Sequence, residues 1–354
     1  MKNRQSTTRA RSGACELGRA CAAVGFGIWL ATVNGPASAG VMFGESPVNT
    51  IGGGFRWDAA PKIIAGVGER SLDGGLRYSL QGGSFQAYRD LFQWSGGPPS
   101  VAAFQTAVQQ AFFAWTVPDP ASGFTSAISF AYDPSTAVVG TAAGGGVNVL
   151  GAEIDLFGST NANNWNPGNN VTQGETFFNA VGDDVTLTSG TANYAGSGAI
   201  SGADITINSN PGAIYTLDFF RRLLTHEIGH ALGLGDVEPG INPGAFIDDN
   251  YLAGNPGTLA NNWANLVNPF NPAASFGLQR FAIQQADVDA VDILMESNGL
   301  GISPANPVTN LFPLANDDYS MRQFLYPSLP EPGTLALLSV VFAALGFARR
   351  RKLH

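Results

Sequence analysis

His226 and His230 stand four residues apart, with Glu227 directly after the first, in the run His226-Glu227-Ile228-Gly229-His230-Ala231-Leu232-Gly233-Leu234-Gly235-Asp236. At 3.6 residues per turn, histidines so spaced project from one face of a helix. Their imidazoles can then take adjacent positions on a tetrahedral zinc ion. Glu227 points beside the metal, where its carboxylate can take a proton from an attacking water. The helix must end soon after His230 if the chain is to return a third ligand. Gly233 suits that ending, because a glycine just past a helix C-terminus adopts positive φ without steric cost. Three residues on, Asp236 offers a carboxylate oxygen that completes a set of three protein ligands with one position open. The remaining histidine of the chain is His354, so no third imidazole is expected here. Glu238 and Glu296 stay open as alternative third ligands.

The elements that must position this run are legible in outline. Apolar periodicity predicts a helix from Leu217 to Leu232 that carries it. Leu76–Leu80 alternates as a strand and ends at Gly82-Gly83. Phe104, Val108, Ala111, Phe112 and Trp115 mark one face of a second helix that stops before Pro118. Ile128–Tyr132, Val147–Phe157, Val185–Leu187 and Ala203–Asn208 read as further strands. Residues 158–175 and 238–277 read as Asn- and Gly-rich loops. A helical or turn segment is expected over Asp287–Met295, and a last helix over Asp317–Leu325. Strands and helices are interspersed without regular βαβ alternation, which predicts an α+β domain.

The eleven-residue run resembles the metzincin signature H-E-x-x-H-x-x-G-x-x-H/D, with Asp in the third place. Its flanks resemble the matrixin-like branch over about residues 71–327. Leu76–Leu80 and the helix ending at Trp115 are similar to the first strand and helix of those catalytic domains, and Ala203–Asn208 to the strand before the active-site helix. Asp292-Ile293-Leu294-Met295 is similar to the methionine turn beneath the zinc. Asp317–Pro327 is similar to the closing helix, with an aspartate as N-cap. The resemblance implies a metzincin-like catalytic domain: a twisted mixed sheet, an active-site helix and a Met-turn. It implies zinc held by His226, His230 and Asp236, with Glu227 as general base and Gly233 and Met295 in support. Two departures stand out: the stretch from Asp236 to Met295 is long, and Ser297 occupies the place where a helper tyrosine would stand. Calcium is a further expectation, drawn mostly from the resemblance. Glu153, Asp155, Asp183, Asp184, Asp248 and Asp249 lie near Gly and Asn as hard cations require, and a solvated acidic surface accounts for them equally well.

Both ends of the 354-residue chain read as addresses. Basic residues precede an apolar run from Ala20 to Val33, and Ala37-Ser38-Ala39 offers a signal-peptidase site after residue 39. An uncleaved anchor is the alternative, although the run is shorter than the roughly 20 residues of a span. At the other end, Pro330-Glu331-Pro332 precedes an apolar run from Thr334 to Ala348 and the basic Arg349–Lys352. This order resembles the PEP-CTERM sorting signal of Gram-negative bacteria that make exopolysaccharide. It implies tail removal by an exosortase and delivery to the outer surface or extracellular matrix. The expected organisation is a signal peptide over 1–39, an N-terminal extension over 40–70, a protease domain over 71–327 and a sorting tail over 328–354. Membrane contact is expected to be transient, through the two ends.

Without both ends the chain keeps nine basic and 25 acidic residues. So acidic a surface argues against nucleic acid as a partner. Cys15 and Cys21 both fall in the signal, which leaves no mature disulfide and no thiol to hold a metal site latent. The expected function is a secreted zinc endopeptidase acting on protein or peptide substrates. The alternative is a catalytically silent metalloprotease-fold protein of the surface or biofilm matrix.

Overall fold

The structure, a computed structural model, describes residues 40–42, 55–118, 125–139, 150–160, 173–181, 185–186, 192–194, 198–235, 246–248, 279–281, 294–295, 314 and 316–326. All of them fall in one compact unit, Pro36–His354. Its main sheet and helices run, in chain order, β1 (Phe55–Trp57), β2 (Leu76–Leu80), α1 (Phe85–Arg89), α2 (Val101–Ala114), β3 (Phe130–Tyr132), β4 (Ile154–Ser159), β5 (Gly174–Val181), β6 (Gly198–Asn208), α3 (Leu217–Ala231) and α4 (Asn316–Leu325).

The main sheet is mixed and mostly parallel. On one edge β6 pairs parallel with β4, from Ala203↔Ile154 to Asn208↔Ser159, and at its start with β1. Its other edge takes β5, the antiparallel member. Beyond β4 come β2 and then β3, both parallel. Every residue of β6 is buried, as expected of a strand covered on both faces.

α3 packs on α2, β5 and β6. Its N-terminus is capped by Thr216, whose hydroxyl accepts the Phe219 N–H at 3.2 Å. Aromatic rings crowd that end: Phe220 lies 5.0 Å from Phe92, 5.2 Å from Phe104 and 5.4 Å from Trp94, centroid to centroid. Two buried indoles then fix the helix along its length. Trp115 Nε1 donates to Thr225 O at 2.8 Å and Trp57 Nε1 to Ala231 O at 2.9 Å. Past its C-terminus Gly233 has φ +95°, and a Cβ there would strike Phe55 O. The glycine is thus required both for its backbone conformation and for the approach of β1.

The structure differs from the sequence reading in places that bear on the site. Residues 55–70, expected to be an extension, contribute β1 to the main sheet and the buried Trp57 and Arg70 to its packing. Residues 40–42 pair antiparallel with Leu234–Gly235, immediately after the helix that carries the histidines. β5 begins within the segment read as loop, and α1 was not anticipated. The last helix starts at Asn316, so Asp317 and Asp318 lie inside it rather than at its cap.

Candidate metal and catalytic site

His226, Glu227 and His230 all lie on α3 and are 2%, 3% and 7% exposed. The two imidazoles meet edge to face at 89°, with Nε2 atoms 3.0 Å apart. Each Nδ1 faces a backbone carbonyl: His226 lies 2.6 Å from Leu294 O and His230 2.8 Å from Leu234 O. A carbonyl oxygen only accepts, so the hydrogen-bond network places a proton on each Nδ1. Each Nε2 then carries a lone pair, and the two nitrogens stand only 3.0 Å apart. Such an arrangement repels unless a cation is shared between the nitrogens, either a proton or a metal ion. Nitrogens on one tetrahedral zinc, at about 2.0–2.1 Å from it, stand about 3.3 Å apart, close to the separation seen. Donation of the second ring nitrogen to a carbonyl is also how metal-bound imidazoles are held in orientation. The pair therefore fits a zinc ion.

The carbonyl that orients His226 is itself held. Leu294 N–H donates to Asp318 Oδ2 at 3.0 Å, and Asp318 is 1% exposed on α4. Met295, next in the chain, is fully buried with its sulfur against Gly229, the residue before His230. A Cβ at Gly229 would collide with Met295 Sδ and stand 2.9 Å from Trp115 Cζ2. The motif allows any residue at this place, but a larger one here requires Met295 and Trp115 to shift. Gly229→Ala is expected to destabilise the fold by about 1–3 kcal/mol through overpacking, read as a lower urea midpoint with an unchanged m-value.

Glu227 is held from β5. Thr176 Oγ1 lies 2.6 Å from Glu227 Oε2 and 3.1 Å from Glu227 O. Gly174 lies so close to the same carboxylate that a Cβ there would strike Oε1. The start of β5 is anchored by Tyr215, whose hydroxyl donates to Asn208 O at 2.7 Å and lies 3.1 Å from the Gln173 side-chain amide. Burial, and then the charge of Glu227, push the Tyr215 phenol well above its ordinary range, so it stays a neutral donor.

Of the other residues expected to matter, Asp236, Glu238, Glu296, Asp183, Asp184 and Asp249 lie outside the described residues, and Asp248 is placed only as part of the Phe246–Asp248 strand. Among the described residues no group of three or more His, Cys, Asp and Glu could hold a metal ion. Glu153 and Asp155, considered for calcium, engage other partners. Arg77 grips Glu153 bidentately, with Nε–Oε2 and Nη2–Oε1 both 2.9 Å, and Arg70 Nη1 lies 3.4 Å from Oε1. Asp155 accepts the N–H groups of Val139 and Ala152 at 3.0 and 3.1 Å.

Burial pushes the Asp155 carboxyl up to about 6, against those two N–H bonds and Arg70, which pull it down. A group whose pKa is raised on folding binds its proton more tightly in the folded state. Its contribution is therefore fully present below the unfolded value near pH 4 and lost as pH rises through about 6. Between pH 4 and pH 7 wild type is expected to lose about 2 kcal/mol relative to Asp155→Asn. Urea unfolding of both proteins at the two pH values checks this, since contributions from other groups cancel in the difference.

The PEP-CTERM protein-sorting motif is found at residues 328–352. It implies a secreted protein that exosortase sorts, exported and attached to the cell surface of a Gram-negative bacterium. No curated protein matches the chain. Among the described residues no helix is long and apolar enough to cross a membrane.

Proposed function

We propose that the exported protein is a zinc-dependent endopeptidase with the metzincin-like arrangement that its sequence resembles. The observation that carries this reading is the approach of the two Nε2 atoms to 3.0 Å, with both Nδ1 atoms committed to carbonyls. Retention of a carboxylate at Glu227 supports it, because a purely structural zinc has no need of a base there. Met295 under Gly229 supports the Met-turn assignment, and the mixed, mostly parallel sheet beside α3 supports the fold that the resemblance implies at the level of mixed α/β content.

His226 and His230 would hold the ion, with Asp236 the expected third ligand. When bound, zinc supplies Lewis-acid polarisation of the scissile carbonyl and lowers the pKa of water. The chain's own groups do the rest. Glu227 takes a proton from water as its oxygen bonds to the carbonyl carbon, then gives that proton to the leaving amine as the C–N bond breaks. Thr176 keeps the Glu227 carboxylate in one orientation through this exchange. Leu294 O and Leu234 O hold the imidazoles in the tautomer with the proton on Nδ1, and Asp318 steadies the first of these carbonyls. Elemental analysis of the processed protein, paired with a casein assay, tests the reading. One equivalent of zinc with casein cleavage supports it. One equivalent without cleavage favours the silent surface protein, and no zinc at all removes both.

A further inference from the structure

A cavity of about 510 Å³ lies between α2 and β3, at the edge of the sheet opposite β5. Its floor is a stacked ring pair, Tyr78 and Phe112, with centroids 4.0 Å apart and planes 17° apart. One wall is a helical stripe, Thr106, Gln109, Gln110 and Phe113, with spacings that place them on one side of α2. The other wall carries Phe130 and Tyr132, which alternate onto one face of β3.

The chemistry of this lining is selective. It holds five aromatic rings, five neutral hydrogen-bonding side chains and a single aliphatic residue, Ile128, with no charged group. α2 itself contains no charged residue in its 14 positions, although surface helices usually carry charge on their outer face. Phe113 is 54% exposed at the rim. A phosphate or nucleotide would require a cation, which the lining lacks. A fatty chain would meet flexible aliphatic walls in a dedicated site, and here only Ile128 is of that kind. Rings flanked by amides and hydroxyls suit a ligand with apolar C–H faces and uncharged hydroxyls at its edges.

We infer that this cavity binds a neutral oligosaccharide, stacking a sugar ring on Phe113 and Tyr132 and hydrogen-bonding its hydroxyls through Gln109 and Gln110. No residue of the lining belongs to the proposed metal centre, so the proposal is tested apart from the protease reading. Maltohexaose, cellohexaose and xylohexaose are the probes, titrated into the whole protein by calorimetry and saturation-transfer NMR. At least one is expected to bind with a Kd on the order of 1 mM. Phe113→Ala is expected to weaken that binding about tenfold or more, while Phe113→Trp retains it. Circular dichroism and urea unfolding of both variants check that the fold is retained. Absence of saturation with all three sugars up to about 20 mM overturns the proposal, as does binding that neither Phe113→Ala nor Gln110→Ala alters.

Discussion

Glu227→Ala is expected to abolish casein cleavage, lowering kcat/KM by roughly 10²–10⁴-fold, the range carried by a positioned acid–base group, while zinc content stays at that of wild type. The carboxylate lies between the histidines in sequence but contacts β5 in space, at Thr176 and Gly174. Its removal therefore leaves both imidazoles and both of their carbonyl partners in place. The small cavity created beside Thr176 costs some stability, so unfolding is measured alongside activity. Equal zinc, a retained unfolding transition and lost hydrolysis together assign the effect to proton transfer. An Ala variant as active as wild type would remove Glu227 from the mechanism.

His226→Ala is expected to act on the metal itself. Loss of partners in the outer shell of a zinc site costs about 10–100-fold in affinity, and loss of a direct ligand costs no less. The variant should therefore bind zinc at least about 10²-fold more weakly, read by competition with a chromogenic chelator. It should also unfold more easily without metal, because Leu294 O is left buried without its donor, at about 1–3 kcal/mol. Zinc affinity unchanged in His226→Ala would show that the pair shares a proton instead of a metal.

How far the site could be read from the sequence follows from the kind of interaction involved. The helix over 217–232 was legible because local periodicity and Gly233 agree, and it is found at Leu217–Ala231, with Thr216 as the cap that the structure adds. Leu76–Leu80 and the core of β6 were legible for the same reason. β5 was not: Gly174-Glu175-Thr176-Phe177-Phe178 lacks strict alternation, and its strand form comes from antiparallel pairing with β6. Thr176 became visible only in space, since it reaches Glu227 across 51 positions of chain. The carbonyls of Leu294 and Leu234 have no side-chain signature at all. Glu153 was expected as a hard-cation ligand from the resemblance and from its place near glycine. The parallel register Tyr78↔Ile154 instead brings Arg77 beside it, a fact of sheet pairing that composition does not encode. Gly229 was hidden for another reason: the motif treats its position as free, and only the packing of Met295 and Trp115 restricts it.

The central claim is that the two histidines hold a metal on which peptide hydrolysis depends. Its most direct test is casein hydrolysis by the processed protein before chelation, after chelation, and after return of one equivalent of zinc. Cleavage, then none, then recovery is the expected result. Cleavage that survives complete removal of the metal would contradict it.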